Sequence, residues 1–146
     1  MRKMIMIVCM ICLAVTGCAY GGGSSERNEE TITLDQIKSV FERHGIPLTA
    51  KTDINPGAVF SRAYNDIKPE QFNYNTSQSI SIYIYSSSKE AEKGLEDFAN
   101  SWAAADLASY RSHHVANVLF FYGAETTLGE EHITMAIEEL KALTKK

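Results

Sequence analysis

The distribution of cysteine constrains this chain more than any other feature of its sequence. Cys9, Cys12 and Cys18 are its three cysteines, and all lie within the first eighteen residues. The body after Cys18 therefore has no disulfide framework, no thiol nucleophile and no cysteine-ligated metal site. It must be held together by a hydrophobic core, and a chain of about 130 residues is long enough to bury one.

The first eighteen residues divide into parts of different chemistry. Met1–Lys3 is basic, Met4–Val15 is a run of twelve apolar residues, and the small residues Thr16 and Gly17 precede Cys18. A bilayer-spanning helix needs about 20 apolar residues, whereas a shorter run behind a basic start is typical of a signal peptide. A short buried N-terminal helix is the alternative interpretation.

The stretch Val15-Thr-Gly-Cys18 resembles the lipobox of bacterial lipoproteins. The resemblance implies that residues 1–17 are a signal peptide, that cleavage falls between Gly17 and Cys18, and that Cys18 carries the lipid. A diacylglycerol would insert two acyl chains, each contributing about 0.8 kcal/mol per buried CH₂. Cys9 and Cys12 have the spacing of a redox pair, but they would be removed with the signal peptide.

Residues 18–31 are predicted to be a lipidated N-terminus followed by a flexible tether. Tyr20–Ser25 is rich in glycine and serine, and Glu26–Glu30 is polar. Such a linker reaches about 20 Å on average. The resemblance implies a lipid-anchored position on the outer face of the cytoplasmic membrane, with the outer membrane as the alternative in a Gram-negative host.

Charge limits the partners of the proposed mature chain. Removal of Arg2 and Lys3 changes the formal net charge from −4 to −6. Nucleic-acid binding requires clustered lysine and arginine, so we expect no nucleic-acid partner. Anionic headgroups would mildly repel the body, which is expected to stand off the bilayer on its tether.

Residues 32–146 are predicted to form a single globular domain that begins with a helix over residues 34–44. Thr33 and Gln36 have the spacing of a capping box, and apolar residues recur at helical spacing after them. Gly45 provides the C-terminal cap, and Pro47 prevents continuation. His44 lies at the end of this helix, where a partial positive charge is favourable.

The strand signals differ in strength. Residues 48–52 and 58–64 are weak candidates, and a third weak strand begins near Phe72. Ser79–Tyr85 is the strongest, because its isoleucines share one face while Tyr83 and Tyr85 share the other. Since tyrosine is enriched in interface cores, Tyr83 and Tyr85 form a possible binding surface. A sheet surface covered by neighbouring aromatics is the alternative.

The second half of the chain is predicted to form a helix, a strand and a second helix. Ser87–Glu90 has a capping-box pattern, Val115–Tyr122 is a nearly continuous apolar run, and Thr127–Glu130 starts the last helix. Gly94 lies on the apolar face of the middle helix and would allow close packing. The order predicts an α+β fold: a mixed sheet with helices mainly on one face, containing one β-α-β unit with a parallel strand pair.

No established catalytic or cofactor-binding motif occurs in the sequence, so we expect no catalytic residues, metal or cofactor. His113 and His114 are adjacent on an extended segment and should point to opposite faces. The predicted function is a membrane-anchored, extracytoplasmic binding module with a partner in the cell envelope; the oligomeric state stays open. A small-ligand-binding lipoprotein and a hydrolase using His113 or His114 are the alternatives. In size and pattern the body resembles small lipoproteins of Bacillus-like bacteria.

Overall fold

The computed structural model describes residues 30–102, 110–124 and 127–145. The predicted signal peptide, Cys18 and the tether through residue 29 lie outside this part of the chain, as do the side chains of Thr127 and Leu128. The described residues form an α+β fold, as predicted. Its helices and strands are α1 Leu34–Arg43, β1 Thr49–Ala50, β2 Glu70–Asn73, β3 Ser79–Ile84, α2 Ser88–Trp102, β4 Tyr110–Val115, β5 Val118–Gly123 and α3 Thr127–Leu143.

The five strands form one sheet in the order β1-β2-β3-β5-β4, and every neighbouring pair is antiparallel. The predicted parallel contact, and with it the mixed sheet, is therefore wrong. Because β3 and β4 both run antiparallel to β5, they run in the same direction, and α2 connects them. The predicted β-α-β unit is thus present in a split form, with β5 inserted between its two strands.

The split arises from a tight turn that the sequence pattern did not indicate. The predicted strand Val115–Tyr122 is interrupted at Ala116 and Asn117, where the chain reverses between β4 and β5. Ala116 adopts a φ of 49°, a region that glycine usually occupies in hairpin turns. A local hairpin places β5 beside β4 first, and the apolar side chains on both faces of β5 then suit it to the centre of the sheet.

The segments that precede β3 contain less strand than expected. Of residues 48–52 only Thr49–Ala50 pairs with the sheet, and the third weak strand is β2. Residues 58–64 are not a strand: Val59–Ser61 forms a short 3₁₀ turn, and Tyr64 and Ile67 close a small antiparallel turn. This loop lies across the sheet and contributes its apolar side chains to packing.

One face of the sheet packs against α1 and α3. The isoleucines of β3 and Phe120 of β5 meet Ile37 and Phe41 of α1 and Ile137 of α3, as the strand pattern predicted. The Phe41 and Phe120 rings are stacked with centroids 6.1 Å apart. The capping box of α1 is present, since Thr33 accepts from the Gln36 backbone and Gln36 accepts in return from the Thr33 N–H.

The opposite face is covered as well, so the predicted binding surface at Tyr83 and Tyr85 is wrong and the alternative of a covered aromatic face is confirmed. Helix α2 places Ala91 and Phe98 against it, and the loop around Tyr64 fills the remaining space. The ring centroids of Phe98 and Phe121 are 4.6 Å apart. The helices α1 and α3 share one face, but α2 gives the second face a core of its own.

Gly94 allows the closest contact between α2 and the sheet. Its Cα faces the hydroxyl and ring of Tyr85, which occupy the space that a Cβ would require. Both residues are buried. The predicted role of this glycine in close packing is therefore confirmed.

Substitution Gly94→Ala should destabilise the protein, because Tyr85 would have to move within a filled core. We expect a loss of about 1–3 kcal/mol in the free energy of unfolding, measured by chemical denaturation. Gly123→Ala is the matched control, since nothing lies within 4 Å of the added Cβ. An equal effect of the two substitutions would contradict the packing argument.

Asn117 joins three segments of backbone at one end of the sheet. Its side-chain oxygen accepts from the Ile32 N–H at 2.6 Å, and its amide nitrogen donates to the carbonyls of Ile32 and Tyr85 at 3.2 and 2.8 Å. The Tyr85 N–H in turn donates to the Asn117 carbonyl at 2.8 Å. The side chain is 2% exposed, so water cannot replace these bonds.

Substitution Asn117→Asp should destabilise the fold more than Asn117→Ala. The alanine leaves buried backbone groups unpaired, each costing about 1–3 kcal/mol. The aspartate retains an acceptor for the Ile32 N–H but places a carboxylate against two carbonyl oxygens. Thermal unfolding at neutral pH checks the order, and an aspartate variant as stable as wild type would exclude this role.

Candidate functional site

Tyr83 and Tyr85, predicted as a possible binding surface, are instead interior residues. They are 0% and 3% exposed. The Tyr83 hydroxyl donates to the Arg62 carbonyl at 2.9 Å, and the Tyr85 hydroxyl donates to the Tyr64 carbonyl at 3.1 Å. Burial raises the pKa of both phenols well above the ordinary value. The two side chains therefore hold the loop against the sheet and present no surface to a partner.

The loop around Tyr64 also forms hydrogen bonds with α2. The Asn65 N–H donates to Asp97 at 2.8 Å, and the Asn65 amide donates to the Glu90 carboxylate at 2.9 Å. The indole N–H of Trp102 donates to the Tyr64 hydroxyl at 2.5 Å, and the Arg62 guanidinium lies over the indole at 4.9 Å. These contacts explain why the tyrosine face is closed.

The two adjacent histidines of β4 lie on opposite sides of the sheet, as predicted. His113 packs on the α3 side, where its Nε2 is 3.1 Å from the Tyr122 hydroxyl and the two rings are stacked. On the other side, His114 Nε2 lies 2.7 Å from the Ala116 carbonyl oxygen. The two imidazoles therefore cannot bind one metal ion together.

His113 belongs to a group of charged and polar side chains between β4 and α3. The Arg111 Nε donates to Glu130 at 2.7 Å, and Lys141 donates to Glu138 at 2.7 Å. Charges on both pairs act on His113. We call this group the β4–α3 polar cluster, which consists of Arg111, His113, Tyr122, Glu130, Glu138 and Lys141.

The protonation states of the β4–α3 polar cluster follow from its position. Burial, reinforced by the positive charge of Lys141, lowers the pKa of the His113 imidazole. Burial and the nearby Glu130 raise the pKa of the Tyr122 hydroxyl. A neutral imidazole therefore faces a neutral phenol, and the hydrogen bond between them joins two uncharged groups.

A second polar group joins α1 to α3. Arg43 and His44 both contact the Glu139 carboxylate, the latter at 2.7 Å, and these two bonds lower the pKa of Glu139. His132, which is exposed, bonds through Nδ1 to the His44 carbonyl at 2.9 Å. His44, and not the predicted Gly45, is the C-terminal cap residue of α1, so the predicted place of His44 at the helix end is confirmed. Gly45 is the next residue and adopts a φ of 76°.

A groove of about 290 Å³ lies between α1 and the end of α3. Val40 and Leu143 supply its apolar part, and Asp35, Ser39 and Arg43 supply polar groups. None of its lining residues belongs to the core around Tyr83 and Tyr85, where a pocket would have supported the small-ligand-binding alternative. Among the described residues, no group of three or more His, Cys, Asp or Glu side chains is placed to hold a metal ion.

Comparisons with known proteins do not assign this chain to a family. No family model, no curated protein and no solved structure matches this chain. Within the part of the chain that the structure describes, no helix has the length and apolarity needed to span a bilayer.

Two important residues were missed at the sequence level. Arg111 was missed because β4 was not predicted to begin at Tyr110. Asn117 was missed although it carried a signal, since it is the one strongly polar residue within the apolar run Val115–Tyr122. A polar side chain in such a run indicates either a turn or a buried hydrogen-bonding group.

Substitution His113→Gln should reduce the loss of stability on mild acidification. The pKa of His113 is below 6.5 in the folded protein, so the unfolded chain takes up a proton first and stability falls as pH drops through about 6.5. The pKa values of Glu138 and Glu139 are lowered from 4.5, so their effect appears at more acidic pH. Thermal unfolding at about pH 7.5 and about pH 5.5 measures the effect of His113 apart from that of the two glutamates.

His132→Gln is the matched control for this pH measurement, because His132 is exposed. It should leave the difference in melting temperature between the two pH values unchanged. If His113→Gln and wild type lose the same stability between these pH values, the buried neutral state of His113 is refuted.

The charged and polar groups around His113 come from β4, β5 and α3. They are Arg111, Tyr122, Glu130, Glu138 and Lys141.

Proposed function

We propose that this chain is a lipid-anchored, extracytoplasmic binding module, tethered to a membrane through Cys18. The observation that carries the proposal is the sequence Val15-Thr-Gly-Cys18 behind a basic start and an apolar run of signal-peptide length. With Cys18 as the first mature residue, the lipid would occupy the only cysteine that remains.

The position at which the folded body begins supports this arrangement. Ile32 is 3% exposed, and its backbone is bound at both its N–H and its carbonyl by Asn117. The proposed tether would therefore end here, fourteen residues after Cys18. Asn117 lies in the β4–β5 turn and next to the end of β3, so the tether would leave from this end of the sheet.

The proposed attachment point lies at one end of the sheet. The turn between β2 and β3, near Asn75, and the beginning of β4 at Tyr110 lie at the end of the sheet opposite Asn117. Because the proposed tether is flexible, it would let the body turn about this point and would leave its sides accessible to a partner in the envelope.

The chemistry of the described surface favours binding over catalysis. The β4–α3 polar cluster offers a guanidinium, an ammonium group and two carboxylates in ion pairs beside the imidazole of His113. A hydrolase would use His113 or His114 together with a free carboxylate. These rings bond to Tyr122 and to the Ala116 carbonyl, and the carboxylates near His113 are held in ion pairs by Arg111 and Lys141. Paired charges on an exposed surface are suited to recognising a partner with complementary charges.

Substitution Cys18→Ser should release the protein from the membrane fraction, because it removes the sulfur that would carry the lipid. We expect the variant in the medium, or unprocessed with residues 1–17 retained. Cell fractionation and the intact mass of the mature chain measure both results. Cys12→Ser is the matched control, since a serine within the apolar run should leave anchoring unchanged.

The binding role is tested with the same variants. Crosslinking in intact cells should capture one dominant envelope protein with wild type and with Cys12→Ser, and lose it with Cys18→Ser. A Cys18→Ser protein that is cleaved and partitions into the membrane fraction with the same mass and mobility as wild type would contradict the anchor. An anchored wild type that captures no partner would contradict the binding role alone.

A further inference from the structure

We infer that β4 is a self-association edge, at which two copies of this chain pair about a two-fold axis and join their sheets into one antiparallel sheet. The inference concerns the folded body and does not depend on the lipid anchor. It rests on the direction of the backbone groups of β4, on the residues along this edge and on the side-chain pairs that the symmetric register creates.

Hydrogen bonding within the sheet shows which groups of β4 are available. Because the Asn117 carbonyl accepts from Tyr85, the odd-numbered residues from Asn117 to Gly123 direct their backbone groups toward β3. The even-numbered residues of β5 therefore face β4, where they pair with Arg111, His113 and Val115. The N–H and C=O groups of the alternate residues point away from the sheet; these are Tyr110, Ser112 and His114.

Within the described residues, β4 carries few of the features that protect a sheet edge. Such edges in natural proteins are commonly protected by proline, charged side chains, a bulge or very short length. Tyr110–Val115 contains six residues in unbroken register with β5 and has no proline or lysine, and its one charged side chain, Arg111, is held by Glu130 on the α3 side. The opposite edge is different, since β1 contains only Thr49–Ala50 and is followed directly by Lys51.

The β4 residues whose backbone groups point away from the sheet can pair with the same residues of a second copy. An antiparallel pair centred on Ser112 places Ser112 opposite its own copy and Tyr110 opposite the second copy's His114. Each of the three resulting pairs would exchange two backbone hydrogen bonds. Serine pairs and aromatic cross-strand pairs of this kind are stabilising. A shift of two residues in either direction would lose at least one of the three pairs.

The charges on the α3 side also match in this register. Arg111 of one copy lies opposite His113 of the second, and the pKa of His113 is lowered, so the facing imidazole is neutral. Glu138 lies beside His113 and would be brought toward the incoming Arg111, which is 49% exposed. The same contact occurs twice about the axis. Glu138 is paired with Lys141 and Arg111 with Glu130, so each symmetric contact brings two ion pairs together beside a neutral imidazole. No unpaired charge among these groups opposes a second copy at this edge.

Substitution Ser112→Cys tests the register directly. Residues in a hydrogen-bonded antiparallel pair have Cα atoms about 5.5 Å apart, which is within the range that a disulfide spans. In intact cells expressing the full chain, mild oxidation should yield a dimer joined through the two introduced thiols. Non-reducing electrophoresis and mass spectrometry of the linked peptide detect it. We expect about ten-fold more dimer than with Thr49→Cys, the control at the opposite edge.

A second variant separates pairing from folding. The Ser112 N–H points away from β5, so Ser112→Pro removes no hydrogen bond within the body but blocks the edge. In sedimentation of the purified full chain, wild type and Ser112→Thr should be dimeric and Ser112→Pro monomeric, with a preserved thermal transition. Equal crosslinking of Ser112→Cys and Thr49→Cys, a monomeric wild type, or crosslinking of the Ser112→Cys variant mainly to another protein would each overturn the inference.

Discussion

Asn117 is a buried polar side chain that bonds to backbone groups far apart in sequence. Its amide satisfies Ile32, 85 residues away, and Tyr85, 32 residues away, beside the hairpin turn to which it belongs. Helix α1 begins shortly after Ile32, and β3 ends directly before Tyr85. The relative positions of the first helix, the central strand and the β4–β5 hairpin therefore all depend on one side chain that an apolar residue could not replace.

Two cores, one on each face of the sheet, follow from this arrangement. The core against α1 and α3 is largely aliphatic, whereas the core beneath α2 is built from aromatic rings. Tyrosine suits the second core because its ring fills space while its hydroxyl reaches the loop carbonyls of Arg62 and Tyr64. Gly94 completes this core from the helix side, where the Tyr85 ring approaches the α2 backbone.

Local features of this fold could be read from the sequence, and long-range ones could not. Capping patterns at Thr33 and Ser87 identified the starts of α1 and α2, because a cap involves neighbouring residues. The opposite faces of His113 and His114 followed from strand geometry. The turn at Ala116 was missed because it lacks glycine, and the covering of Tyr83 was missed because periodicity does not say which loop lies on a face. The β4–α3 polar cluster depends on that turn and was missed with it.

The insertion of β5 between β3 and β4 has a consequence for the order in which the protein can fold. Strands β3 and β4 both pair with β5, so neither pairing can form until residues 118–123 are available. The segment at Ile32 is not held in place until Asn117 is present. Many of the stabilising contacts thus join early and late parts of the chain, which slows folding. A chain synthesised or transferred from its N-terminus would lack the strand that joins β3 to β4 until almost its whole length had emerged.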